Sequence, residues 1–195
     1  MRYLKSLVWI LTLAAGLFSS AANVCASNLH LLLGADFVNS NLQYKGSNHS
    51  AESREKNFKN VSGVIGLTAY GIGLEAFILN TTDDDDKDSL RNKIRAYGFD
   101  VFGEANLSDN FTLIASLGLA KYKITNSYKR FPLVPSDKKK TTETNNGPRF
   151  GIGIQYYLTN NIAIISMYHY TLLNSNARSN YNSVSEVSAG LRLIF

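Results

Sequence analysis

The sequence predicts an all-β protein, an eight-stranded antiparallel up-and-down transmembrane β-barrel. Apolar residues alternate with period two through eight segments, the mark of strands with two unlike faces. The connections between those segments run long, short, long, short, long, short, long. A meander with loops on one rim and turns on the other has this order. The chain also opens on an export signal, which places the alternation outside the cytoplasm.

That signal is read at residues 1–26, leaving 27–195 as the barrel domain. Arg2 and Lys5 form a basic head, and Ser6 to Phe18 carries no charge. An apolar run of about 13 residues is too short for the roughly 20 a spanning helix needs. Small residues follow, and Ser20/Ala22 and Val24/Ala26 offer two cleavage pairs. Cleavage after Ala26 removes Cys25, the only cysteine, and leaves a thiol-free chain suited to an oxidising compartment. Ala22, Asn23 and Val24 do not resemble a lipoprotein box ahead of that cysteine.

The strands follow in order. Leu29–Tyr44 sets Leu31, Leu33, Ala35 and Phe37 against His30, Gly34 and Asp36. Lys59–Ala69 carries Val61, Gly63, Ile65 and Leu67 on one face. Gly71–Leu79 opposes Ile72, Leu74, Ala76 and Ile78 to Gly73 and Glu75. Lys93–Ala105 opposes Tyr97, Phe99, Val101 and Ala105 to Gly98, Asp100 and Glu104. Phe111–Tyr122 opposes Phe111, Leu113, Ala115, Leu117 and Leu119 to Thr112, Ser116 and Gly118. Pro148–Leu158 opposes Phe150, Ile152, Ile154 and Tyr156 to Arg149, Gly151, Gly153 and Gln155. Ile162–Leu172 and Val184–Phe195 complete the set. The long links are Lys45–Asn57, Asn80–Asn92, Lys123–Gly147 and Leu173–Ser183. The short ones lie near Tyr70, at Asn106–Asn110 and at Thr159–Asn161.

The fuller apolar face decides the surroundings. Gly34, Gly66, Gly73, Gly98, Gly118, Gly151, Gly153 and Gly190 fall on the opposite face, with Gly63 and Gly103 as exceptions. Glycines suit a narrow lumen where eight strands leave room only for small side chains. A secreted soluble barrel would need the apolar face inside and a charged face outside. Gly151, Gly153 and Gln155 make a poor solvent face, while Phe150 and Tyr156 near the strand ends match interfacial girdles. Closure leaves no unpaired edge in hydrocarbon.

Other classes find little support. The formal net charge of +5 falls to about +3 without the signal. Lys138–Lys140 is the only basic cluster and no aromatic-interleaved patch accompanies it, which argues against nucleic-acid binding. After residue 26 no apolar stretch approaches the length of a spanning helix.

GIGIQYYLTNNIAIISMYHY, Gly151 to Tyr170, is similar to the sixth strand, turn and seventh strand of small outer-membrane barrels of the OmpA/OmpX/opacity type. SAGLRLIF, Ser188 to Phe195, resembles their last strand. The resemblance implies residence in a Gram-negative outer membrane among lipids and lipopolysaccharide. It also implies that Leu191, Leu193 and Phe195 act as a signal to the outer-membrane assembly machinery. Ile165 and Met167 depart from the family, whose inward positions there often carry charge. The scaffold hosts adhesins, stress proteins, anchors and a few enzymes, so it does not fix function.

The inward charges are Asp36, Glu75, Asp100, Glu104, Arg149, Glu186 and Arg192. Buried charges are costly unless paired, so a salt-bridge cluster filling the lumen is expected, with Glu104 or Glu75 as partner of Arg192. A narrow ion path is the competing reading. His169, Thr171 and Glu186 raise a lipid A deacylase-like reading, but threonine stands where those enzymes have serine. Asp83–Asp88 lacks the glycine of a calcium loop. His30, His49 and His169 are scattered, so no metal or other cofactor is expected. No P-loop or dinucleotide fingerprint occurs.

The expectation is a monomeric, non-enzymatic outer-membrane barrel with both termini on the periplasmic side and four outward loops, the third longest. Polar loops on a rigid scaffold favour binding of a host or surface ligand.

Overall fold

The computed structural model describes residues 29–44, 56–81, 90–129, 138–174 and 181–195. The signal segment with Cys25, the acidic run Asp83–Asp88, His49, Pro132 and Pro135 lie outside the described residues. The strands are β1 (Leu29–Tyr44), β2 (Lys56–Ala69), β3 (Ile72–Thr81), β4 (Leu90–Asn106), β5 (Phe111–Lys129), β6 (Lys138–Thr159), β7 (Ile162–Leu172) and β8 (Tyr181–Ile194). Each pairs antiparallel with the next, and β1 pairs with β8 to close the barrel. Leu31 and Phe195 exchange two 3.0 Å backbone hydrogen bonds at the seam, so the start of β1 and the end of β8 lie at the short-turn rim.

Period-two alternation becomes two walls. Phe37, on the outer wall, is 78 % exposed, a position that favours hydrocarbon over water. Leu29–Phe37, Tyr97–Ala105, Phe111–Leu119, Phe150–Leu158 and Val187–Phe195 bound the outward apolar stripes on five strands. Each spans about nine residues, which at roughly 3.3 Å per residue and a tilt near 40° gives a band a little over 20 Å tall. Outer-membrane barrels carry bands of about this height. Tyr70, Phe111, Tyr156 and Phe195 ring the turn-side edge. The Phe111 and Tyr156 rings lie 5.0 Å apart. Tyr97 and Phe150 stand at the loop-side edge. The Tyr70–Gly71 turn joining β2 to β3 has positive φ at both residues, 54° and 77°, as the two-residue hairpin matched to sheet twist requires.

The lumen departs from the glycine-and-charge interior expected. Its turn-side end is filled by Leu32, Phe102, Ile114, Ala163, Ile165, Met167 and Ile194. Its loop-side end holds a larger apolar layer that includes Val38, Leu42, Phe77, Ile94, Tyr122, Ile124 and Val184. Large side chains fit because glycines face them across the sheet. Phe102 is the register partner of Gly73, Phe77 of Gly98 and Met167 of Gly153. A Cβ on any of these three glycines would collide with its partner. Gly63 and Gly103 face outward with nothing near a Cβ.

The third long connection also differs from expectation. Lys123–Gly147 is mostly strand, since β5 runs to Lys129 and β6 begins at Lys138. The connection left, 130–137, is shorter than 45–55 between β1 and β2. Cross-strand pairing from Leu119↔Pro148 to Lys129↔Lys138 makes a hairpin that rises beyond the apolar band.

Candidate functional site

Between the two apolar layers lies a belt of charge. Asp100 on β4 accepts a hydrogen bond from the Arg149 guanidinium of β6. The other guanidinium nitrogen, Nη2, donates to Glu186 on β8 at 3.2 Å. Ser40 donates to the second oxygen of Glu186 at 3.3 Å, and Asn60 donates to Ser40 at 2.7 Å. The guanidinium also lies over the Phe77 ring, 4.1 Å from its centre. Asp100 and Glu186 are fully buried. One arginine therefore stands between two carboxylates, the arrangement a buried charge requires.

Arg192 forms the second centre. Its guanidinium grips Asp36 end-on through both terminal nitrogens, with Nη2 at 3.0 Å from Oδ2, and Glu75 lies 3.9 Å away. Of the expected partners, Glu75 is present as a longer ion pair, Glu104 is not a partner, and the hydrogen-bonded place belongs to Asp36. Asp36 takes that place because Arg192 faces Gly34 across the β1–β8 seam, and the side chain lies over that glycine toward the next inward position. Glu75 is a secondary neighbour. Glu104 joins neither centre. It is half-buried at the turn-side mouth, in an open bowl of about 1000 Å³ with Tyr70, Asp109, Asn110 and Tyr157.

His169 and Thr171 share the inward face of β7 and are both buried. The Thr171 hydroxyl is 3.2 Å from that of Tyr122. Neither ring nitrogen of His169 has a hydrogen-bond partner, and Nε2 lies 3.8 Å from Asp100. His169 is the register partner of Glu186, yet Glu186 turns to Arg149 and Ser40. Histidine, hydroxyl and carboxylate are thus near one another without the base–nucleophile bond that acyl transfer needs. Among the described residues no group of His, Cys, Asp and Glu is placed to hold a metal ion.

The outer wall carries a feature that counting inward charges overlooks. Lys59, Lys93, Arg95, Lys121 and Lys123 all face outward at the loop-side end. Their signal in the sequence is a cation on the apolar parity of a strand, just past its last apolar residue. Above them the strand backbones continue through Arg91 of β4, Lys129 of β5 and Lys138–Lys140 of β6, which pair in register. Leu191, Leu193 and Phe195 lie on the outward face at the turn-side rim.

A family model described as outer membrane protein beta-barrel domain matches residues 10–195. Among curated protein sequences none matches the chain. Solved structures share the fold at low identity. One is Ail, the attachment invasion locus protein of Yersinia pestis, in complex with the heparin analogue sucrose octasulfate. It is 13% identical, with a TM-score of 0.60, over 86% of this chain and 99% of that one. Neisserial surface protein A is 15% identical, with a TM-score of 0.58, over 86% of this chain and 97% of that one. OprG from Pseudomonas aeruginosa is 10% identical, with a TM-score of 0.52, over 86% of this chain and 96% of that one.

Proposed function

The chain belongs to the outer membrane β-barrel family, whose members reside in the Gram-negative outer membrane, and from that premise we propose that it is a surface-exposed interaction protein, neither an enzyme nor a conduit. The observation that carries this reading is the β5–β6 hairpin. Its strands continue in register beyond Leu119 and Pro148 to Lys129 and Lys138, and a membrane crossing has no use for that length. A rigid element held above the bilayer is what a docking surface needs. The ligand class is a polyanionic saccharide. Arg91, Lys129 and Lys138–Lys140 are brought by backbone pairing to the upper ends of β4, β5 and β6, and clustered cations attract sulfate and carboxylate groups. Ail, which shares the fold, was solved with a heparin analogue; this chain's own basic residues carry the reading here.

The alternatives lack comparable support. An ion path would have to cross two apolar layers on either side of the belt, and eight strands leave a lumen that side chains fill. A deacylase would need His169 bonded to Thr171 and open to lipid, whereas both side chains are enclosed. The test is adhesion of cells displaying the full chain to immobilised heparin. Neutralising Lys138, Lys139 and Lys140 to glutamine is expected to lower adhesion several-fold and flatten its salt dependence, with the barrel still shifting on heat-modifiable gels. Unchanged adhesion in that variant would sink the saccharide reading.

A further inference from the structure

Glu104 is the lumen carboxylate that the two ion centres leave over. From the turn-side mouth up to the charge belt, the lumen carries the carboxylates of Asp36, Glu75, Asp100, Glu104 and Glu186 against the guanidiniums of Arg149 and Arg192. Arg149 serves Asp100 and Glu186, and Arg192 serves Asp36 and Glu75. Among the described residues the Glu104 side chain has neither a hydrogen bond nor an ion pair. It is half-buried, and no described Lys or Arg lines the bowl in which it stands. A carboxylate so placed gains from a cation beside it.

The register shows from where that cation can come. The Glu104 amide donates to the Gly71 carbonyl at 2.7 Å, which ties Glu104 to the β2–β3 turn. Leu29, the first residue of β1, pairs with Ala69 beside the same turn. Leu29, Ala69, Ile72 and Gly103 form one row across four strands. Glu104 therefore stands at the level the chain occupies just before Leu29. His30, the next residue along β1, is near enough for its charge to act on Glu104. Three strand spacings separate β1 from β4, about 14 Å along the wall and less across the mouth. Two residues ahead of Leu29 span about 7 Å, and the glutamate side chain with a hydrogen bond covers the rest.

Export processing supplies a cation there. Hydrolysis of the Ala26–Ser27 bond by an export peptidase adds water, leaving a carboxylate on Ala26 and an amine on Ser27. That amine is protonated at neutral pH and lies two residues ahead of Leu29. Cleavage after Ala22, the other small-residue pair, places it six residues ahead.

We propose that the mature chain begins at Ser27 and that its α-ammonium pairs with Glu104, so that the chain's own first residues occupy the bowl. The pair exists in the processed protein alone, because that nitrogen is a neutral amide in the precursor. Removal of the signal and completion of the lumen's charge balance are then one event.

The experiment uses the protein purified from outer membranes in detergent, with the barrel verified by heat-modifiable mobility. Mass spectrometry of the tryptic N-terminal peptide is expected to read Ser27–Lys45, and a peptide beginning at Asn23 would overturn the proposal. The same peptide reports how fast the α-amine is acylated at pH 7. Acylation needs the unprotonated amine, and a neighbouring carboxylate favours the ammonium. Folded Glu104→Gln is expected to acylate roughly five- to ten-fold faster than folded wild type, and the two should match once unfolded in urea. Equal rates in the folded state would overturn the pair. Asp109→Asn, on the same bowl, should keep the wild-type rate; acceleration there in place of Glu104→Gln would give the amine to another carboxylate and overturn it too. Wild type alone supplies a check that needs no variant, because equal rates in the folded and urea-unfolded chain would leave the amine free and the proposal false.

Discussion

Asp100 and Arg149 stand on β4 and β6, two strands apart, and they meet over Gly118, the register partner of both. The intervening strand contributes no side chain at that point, so the ion pair crosses it. A Cβ on Gly118 would strike the Asp100 carboxylate and the Phe99 carbonyl. Arg192 lies over Gly34, its register partner on the adjacent strand β1, to reach Asp36 two residues along that same strand.

Replacing that glycine should therefore separate a buried pair. Gly118→Ala is expected to lower stability by about 3 kcal/mol or more, through overpacking and the loss of compensation between buried charges. Gly63→Ala and Gly103→Ala add a methyl group to open space on the outer wall and should change stability by less than about 0.5 kcal/mol. Urea unfolding in detergent, read by tryptophan-independent gel mobility, compares the three.

The Arg149 centre should show strong non-additivity. Arg149→Met leaves Asp100 and Glu186 buried without their cation and is expected to cost about 3–5 kcal/mol. Adding Asp100→Asn and Glu186→Gln to the same chain removes the uncompensated charge and should recover a large part of that loss. Additive losses across the cycle would show that the three side chains do not act together.

At the seam, the partner of Arg192 is open to direct test. Arg192→Leu should still insert but unfold at lower denaturant, and Asp36→Asn in that background should restore part of the midpoint. Glu104→Gln should restore none, because Glu104 lies at the turn-side mouth and outside both ion centres. Rescue by Glu104→Gln instead of Asp36→Asn would return Arg192 to the partner expected from sequence.

Deleting Phe195 removes two 3.0 Å backbone hydrogen bonds to Leu31 and an outward aromatic from the turn-side girdle. Folding into detergent should weaken by about 1–3 kcal/mol. If Leu191, Leu193 and Phe195 also address the chain to the assembly machinery, outer-membrane accumulation in cells should fall far more than that stability loss explains. Parallel losses in the two measurements would assign the residue a structural role alone.

The strands and their two faces were legible because a wall between lipid and lumen imposes strict period two on the chain. Phe37, Ile65, Phe99 and Leu191 each face where alternation puts them. The upper parts of β5 and β6 were not legible. KKKTTETNNG, Lys138 to Gly147, is largely polar and has no apolar face, so the strand is held there by pairing with β5 and leaves no hydrophobic period to read. The inward charges could be named from parity, but the Arg192–Asp36 match depends on how β8 meets β1. Alternation within one strand carries no information about that register. Phe77, Phe102 and Tyr122 were also on the inward parity; what hid their role was the glycine facing Phe77 or Phe102 on another strand, which gives a large ring its room.

The ion pairs and the turn-side apolar layer are built from strand residues alone. A cask whose staves lock against one another does not rely on what is painted around its upper rim. The buried pairs and glycine contacts draw on no residue of 45–55, 82–89 or 175–180, so they go on specifying the same vessel whatever sequence joins the strands there. Selection on the surface and selection on the barrel then act on separate sets of residues, and the two can proceed at different speeds.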